Sequence, residues 1–417
     1  MSASPSFPRT PVSVLVLCLA CMTLEGYDVI AYGAALPAML AYHDWGLTVA
    51  QAGLIGSLTP IGTLAGTLVV GVLTDLIGRR RLVLASVLVF SLAMVLCGVA
   101  PGVAVFAVGR VLVGIGVGGV LPSIVALVFE YSAARRRNLN TALAFAGVGA
   151  GGALAGVVAA AVVPALGFRA EYLIGGLAAS VVLPFAVRYL PESPVYLRAS
   201  RAAAPVPPAL GRFTVLFSRR HFVTTVLFCL MTFTSLLVLF GLYTWLPQLM
   251  RSAGYDLGSA LTFLIVLNLG TAVGPLAVGR VADRIGSKPA TAASFLLAVI
   301  GIVALSYRLP IGVLYAAVIL AGVGTVGTQI LINVFVAGRF PVQSRATAVG
   351  TALAFGRLGG ILGPVFGGVL LSAQLPTSAL FYAFAAPAIL GALLVVLVPR
   401  PESTAASVAD LPAASTS

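Results

Sequence analysis

The chain alternates long apolar runs with short clusters of charge, glycine and proline. The runs are continuous, without the apolar/polar alternation of barrel strands, so they read as helices. Crossing the hydrocarbon core of a bilayer as a helix takes about 20 apolar residues. Hydropathy delimits two sets of such runs. The first comprises 12–41, 49–73, 82–100, 103–129, 139–165 and 171–190, and the second 221–250, 257–279, 289–307, 310–336, 346–373 and 376–398. This pattern predicts an all-α polytopic membrane protein with 12 transmembrane helices in two six-helix bundles, at 1–190 and 220–398. Between them, 191–219 is rich in proline and arginine and reads as a cytoplasmic linker. The Ala/Ser/Thr-rich 399–417 reads as a disordered cytoplasmic tail.

The two sets echo each other. Asp75 in GVLTDLIGRRR and Asp283 in GRVADRIGSK stand 208 positions apart (283 − 75), and Arg137 and Arg345 share that offset. Leu36-Pro37 and Leu246-Pro247 close the first run of each set. The last pair is 210 apart (247 − 37), and landmarks at nearly one spacing indicate a duplicated six-helix unit; two such units around a central cavity make a transporter.

Composition narrows the picture. Of the 417 residues, 60% are apolar and only 8% are charged, with a mean hydropathy of +1.11. Typical soluble domains are about 25% charged, so a soluble enzyme is excluded. The net charge of +13 does not indicate a nucleic-acid partner, because 19 of the 24 basic residues fall in segments that alternate spans place on one side. That asymmetry puts both termini in the cytoplasm. Cys18, Cys21, Cys97 and Cys229 all lie within apolar runs, where no disulfide framework is expected. Cys18 and Cys21 have CxxC spacing within one helix, which reads as packing. No metal or cofactor is expected.

A few polar residues interrupt the runs. Glu25 and Asp28 are three apart near the middle of the first, on one helix face. Arg110 sits in the fourth and Arg357 near the middle of the eleventh. A charge in the membrane interior costs about 2.5–3.5 kcal/mol, so each is expected to face a cavity or a partner. Glu25 and Asp28 are candidates to load and release a proton, and Glu130, at the cytoplasmic end of the fourth run, joins them. The competing reading of Glu25 and Asp28 is a structural ion pair to Arg110 or Arg357. A guanidinium matches a carboxylate bidentately, so Arg357 and Arg110 are candidate ligands for an anion. Tyr32 is a candidate to stack on a flat substrate. Asn268, Gln329 and Asn333 supply further polar groups to the predicted site. Trp245, near the outer end of the seventh run, reads as an interface anchor. The positions 208 residues from Glu25, Asp28, Arg110 and Arg357 are Phe233, Leu236, Val318 and Gly149. The scaffold is thus duplicated and the buried charge is not.

The loop Gly71, Asp75, Gly78, Arg79, Arg80 and its echo Gly279, Asp283, Arg284, Gly286, Lys288 resemble the signature loop of the major facilitator superfamily. Asp75, Arg79, Arg80, Asp283, Arg284, Arg137 and Arg345 are expected to form a cytoplasmic gate. Glu25-Gly26-Tyr27-Asp28 with Tyr32-Gly33, the span from Arg110 to Glu130, and Gly356-Arg357-Leu358-Gly359 resemble the aromatic acid:H⁺ symporter family. That family usually shows Asp where this chain has Glu25. The resemblance implies proton-coupled import of a small, aromatic carboxylate such as a benzoate or hydroxybenzoate by alternating access. It implies a multi-pass protein of the bacterial cell (inner) membrane. The expected partners are an organic acid, protons and the lipid bilayer, and the chain is expected to act as a monomer. The alternative is a drug:H⁺ antiporter or another organic-solute porter on the same scaffold. Such antiporters often carry Gly-Pro in the fifth span, which here reads GVGAGGALAG.

Overall fold

The computed structural model describes residues 12–133, 136–193, 196–197, 216–219, 221–340 and 344–399. Most of the 191–219 linker and all of the tail after Pro399 lie outside the described residues, as do the side chains of Asp75 and Arg137.

Twelve helices carry the architecture. The first six are α1 (Val12–Leu40), α2 (Val49–Ile77), α3 (Arg79–Gly98), α4 (Val103–Tyr131), α5 (Arg137–Leu166) and α6 (Phe168–Tyr189). The second six are α7 (Phe222–Ser252), α8 (Leu257–Ile285), α9 (Ser287–Ala304), α10 (Ile311–Arg339), α11 (Arg345–Ser372) and α12 (Thr377–Leu397). Each contains a segment long and apolar enough to cross a membrane, and no strand occurs among the described residues. Several helices outrun their apolar segments. Hydropathy ends the second run at 73 and the eighth at 279, whereas α2 continues to Ile77 and α8 to Ile285. Backbone hydrogen bonding inside a helix needs no apolar side chains, so it carries the polar motif residues past the lipid-compatible stretch.

Two of the connections at that end are a single residue. Gly78 joins α2 to α3 at φ +90°, and Gly286 joins α8 to α9 at φ +89°. A side chain is disfavoured at these angles, which explains the glycine in both copies of the loop motif.

The packing repeats with the sequence. In the first set α1 lies on α5 and α6, α2 on α4, and α3 on α4 and α6. In the second, α7 lies on α11 and α12, α8 on α10, and α9 on α10 and α12. Gly114 and Gly118, four apart on one face of α4, meet Gly62 and Gly66 of α2 backbone to backbone. The Thr59 hydroxyl donates to the Arg110 carbonyl across this seam, at 3.0 Å.

The two sets meet through α1 with α7, α2 with α11, and α5 with α8. The closest approaches cluster toward the end opposite the chain termini, called the distal end below. A β-carbon at Gly33 would overlap the main-chain carbonyl of Tyr243. One at Gly53 would lie 2.8 Å from the Pro364 carbonyl oxygen, and Ser57 donates to the Ile361 carbonyl at 2.5 Å. Trp245 belongs to this region, contrary to the interface-anchor reading. It is fully buried, and its indole N–H donates to the Pro364 carbonyl at 2.8 Å. A buried indole requires such an acceptor.

Candidate functional site

Beneath the distal contacts lies a cavity of about 550 Å³ between the two sets. Glu25, Val29 and Tyr32 of α1 line it, with Gly56, Thr59, Pro60 and Thr63 of α2 and Arg110 and Val117 of α4. The second set contributes Phe240, Tyr243 and Thr244 of α7 and Arg357 of α11. Charged groups and rings from both sets therefore face one space.

Asp28 lies behind this wall, completely buried. Its Oδ1 accepts from Arg110 Nη1 at 2.6 Å, and its Oδ2 has no hydrogen-bond partner. The Arg110 guanidinium also lies 5.0 Å from the centre of the Tyr32 ring and 6.0 Å from that of Tyr172. A cation over an aromatic face is stabilised further when desolvated. Tyr32 is fixed in turn, since its hydroxyl donates to the Ala52 carbonyl at 2.6 Å. Glu25 is buried with Oε2 unpartnered, and it lies within electrostatic reach of Arg357 across the cavity. Among the described residues no carboxylate reaches ion-pair distance of Arg357.

The structure thus brings together Glu25, Asp28, Tyr32, Arg110 and Arg357. The remaining candidates lie elsewhere. Asn268 is buried where α8 meets α5, donating to the Leu264 carbonyl at 2.8 Å, with its Oδ1 against Gly152. Gln329 and Asn333 are half-buried on α10 and do not line the cavity, and both Gln329 amide atoms and the Asn333 Oδ1 lack hydrogen-bond partners.

Glu130 stands at the end of α4 nearest the termini, in an ion pair with Arg79. Ser193 donates to its Oε2 at 2.5 Å and accepts from Arg79 at 3.2 Å. Nearby, the Arg80 amide donates to Glu192 Oε1 at 2.9 Å, and its guanidinium caps the Val187 carbonyl. Arg345 donates to the Phe340 carbonyl at 3.2 Å, while Asp283 and Arg284 are exposed. None of these polar contacts joins the two six-helix sets; Glu192 and Ser193 belong to the start of the linker.

Three kinds of residue escaped the sequence reading. Thr59 and Thr63 are spaced four apart beside Pro60, a signal that a polar helix face could have supplied. Tyr243 and Thr244 sit where an interface position was expected and line the cavity instead. Glu171, fully buried on α6, falls at the first residue of its apolar run, where a boundary charge draws no notice.

Comparison with known proteins agrees with this arrangement. The family model described as Major Facilitator Superfamily matches residues 18–350 and 265–416. A gentisate transporter of Corynebacterium glutamicum is 35% identical, with 91% of this chain and 86% of that protein covered. A benzoate transport protein of Acinetobacter baylyi is 31% identical, covering 92% of this chain and 89% of its own length. The crystal structure of a D-xylose-proton symporter superposes with a TM-score of 0.78 at 17% identity, covering 93% of this chain and 98% of that one. The chain belongs to the major facilitator superfamily and is a multi-pass membrane transporter, not an enzyme.

Proposed function

We propose that this protein imports a small aromatic carboxylate together with protons, by alternating access. The observation that carries the reading is the pairing of charges around the cavity. Arg357 offers a guanidinium that no carboxylate among the described residues touches, while the Asp28–Arg110 pair and Glu25 stand on the other side. A carboxylate ligand fits between Arg357 and Glu25 only if Glu25 is neutral, because two carboxylates would otherwise repel in a medium of low dielectric. Proton uptake and anion binding are thereby linked. Protonation of Asp28 would likewise release Arg110 toward the anion. The rings of Tyr32, Phe240 and Tyr243 supply flat apolar surface for an aromatic body. The aromatic acids carried by the relatives support the same substrate class.

In this scheme the distal end faces outside, and the contacts of Gly33, Gly53 and Ser57 close it. The polar clusters of Arg79–Glu130 and Arg80–Glu192 stand at the cytoplasmic end, where Glu130 ties α4 to the start of α3 and to Ser193, on the gate side of the first bundle. The bundles 1–190 and 220–398 move as units on either side of the linker.

The test is uptake of radiolabelled benzoate, gentisate and 4-hydroxybenzoate into proteoliposomes with an inward proton gradient. Accumulation that an uncoupler abolishes is the expected result. Absence of uptake of all three acids by protein shown to be folded overturns the substrate class. Uptake that ignores the uncoupler overturns the coupling.

A further inference from the structure

Glu171 lies one turn into α6 and is completely buried. Neither carboxylate oxygen has a hydrogen-bond partner, and no basic side chain reaches ion-pair distance among the described residues. Arg169, two positions back, points to the other side of the helix, as that spacing requires. It donates to the Ala100 carbonyl at 3.1 Å and lies over the rings of Tyr42 and Trp45.

Two effects compete over a charge at Glu171. The N-terminus of α6 favours an anion by about 0.3–1 kcal/mol. Burying an unpaired carboxylate costs several kcal/mol. Burial wins, so the neutral acid is the stable form in this conformation.

Its surroundings link it to the pair described above. The elements packed on α6 are α1, α3 and α5. From α1 come Tyr27, whose hydroxyl donates to the Glu171 main-chain carbonyl at 3.0 Å, and Asp28, the next residue along. Asp28 is within electrostatic reach of Glu171. Cys97 of α3 and Arg110 of α4 stand beside Tyr172, the neighbour of Glu171, and the Tyr172 hydroxyl is itself buried without a partner. The only titratable side chain of α5 is Arg137, at the opposite end of that helix. Among the described residues, Arg110 is thus the one cation facing this locus, and its hydrogen bond goes to Asp28.

We propose that Glu171 is a second proton-binding site, coupled to Asp28 by mutual repulsion around a single counter-ion, Arg110. The two carboxyls hold at most one negative charge between them. When Asp28 takes a proton, the repulsion ends and Arg110 loses its anionic partner, so ionising Glu171 costs less than it does beside a charged Asp28. This deepens the proton-coupled reading and rests on its assignment of Asp28.

Infrared spectroscopy of the reconstituted protein reads the carboxylic C=O stretch with no substrate present. A buried-acid band at neutral pH that Glu171→Gln removes is the expected result. Asp28→Asn is expected to displace the titration of that band to lower pH, because ionising Glu171 no longer meets a neighbouring anion. If Glu171→Gln leaves the spectrum unchanged, Glu171 is already ionised and the site is overturned. A Glu171 band that titrates identically in Asp28→Asn overturns the coupling. Should Glu171→Gln fail to fold, Glu171→Asp assigns the band by its frequency shift. Should Asp28→Asn fail, the reciprocal displacement of the Asp28 band in Glu171→Gln reads the same coupling. Because no acid is added, a negative uptake assay and a negative infrared result are separate outcomes.

Discussion

At Arg357 an intramembrane charge is held without a touching counter-ion, an arrangement that costs stability and therefore points to a ligand. Replacing it with glutamine removes a charge-assisted contact of about 1.5–3 kcal/mol, which is roughly a 10- to 150-fold loss of uptake. Its thermal stability in detergent should equal or exceed that of the wild type; a fall in both together would assign Arg357 to the scaffold. The Asp28–Arg110 pair behaves oppositely. Asp28→Asn leaves Arg110 buried and uncompensated, at a cost of about 3–5 kcal/mol. Adding Arg110→Gln should recover most of that loss in a denaturation assay, with transport still absent. These three charges, and Glu25 with them, were legible in the sequence, because charge within an apolar run is expensive enough to demand a reason. Which carboxylate meets which arginine was not legible. The 2.6 Å contact of Asp28 with Arg110 and the cavity-facing position of Glu25 depend on helix rotation, which spacing alone leaves open.

At the scale of elements, the twelve helices and their order follow directly from hydropathy, since lipid forces every span to satisfy its own backbone. Helix faces do not follow so readily. In lipid the outward face is as apolar as the packed one, so α10 gave no sign that Gln329 and Asn333 would miss the cavity. The glycines are better guides, because close backbone approach leaves no room for a side chain. At Gly33 a larger residue strikes the Tyr243 carbonyl. Gly33→Leu should hold α1 and α7 apart at the distal end. Spin labels on the distal ends of those helices should report longer distances than in the wild type, with uptake lost. Unchanged distances would show that this contact does not control closure.

The whole molecule joins two similar scaffolds around dissimilar chemistry. Every packing relation of the first six helices has a counterpart in the second, yet Glu25, Asp28 and Arg110 belong to one and Arg357 to the other. Relative motion of the two sets would therefore bring complementary charge together and apart. Gly53 and Gly368 touch across α2 and α11 at the distal end. A β-carbon at either glycine would lie 3.1 Å from the other's Cα. Gly53→Val with Gly368→Val should therefore hold the distal end apart and stop uptake, with spin labels on α2 and α11 reading longer distances than in the wild type. Full transport at unchanged distances would mean that this contact does not set closure.

The one-residue joints at Gly78 and Gly286 have a practical corollary. With no spare chain between α2 and α3 or between α8 and α9, each pair is a stiff hairpin that transmits displacement instead of absorbing it. The connection from Ala41 to Thr48 is longer and largely exposed. Reporter peptides and epitope tags therefore belong there: an insertion beside Gly78 or Gly286 would splay a hairpin, while one at Gly46, exposed and with open space around it, would only lengthen a surface loop.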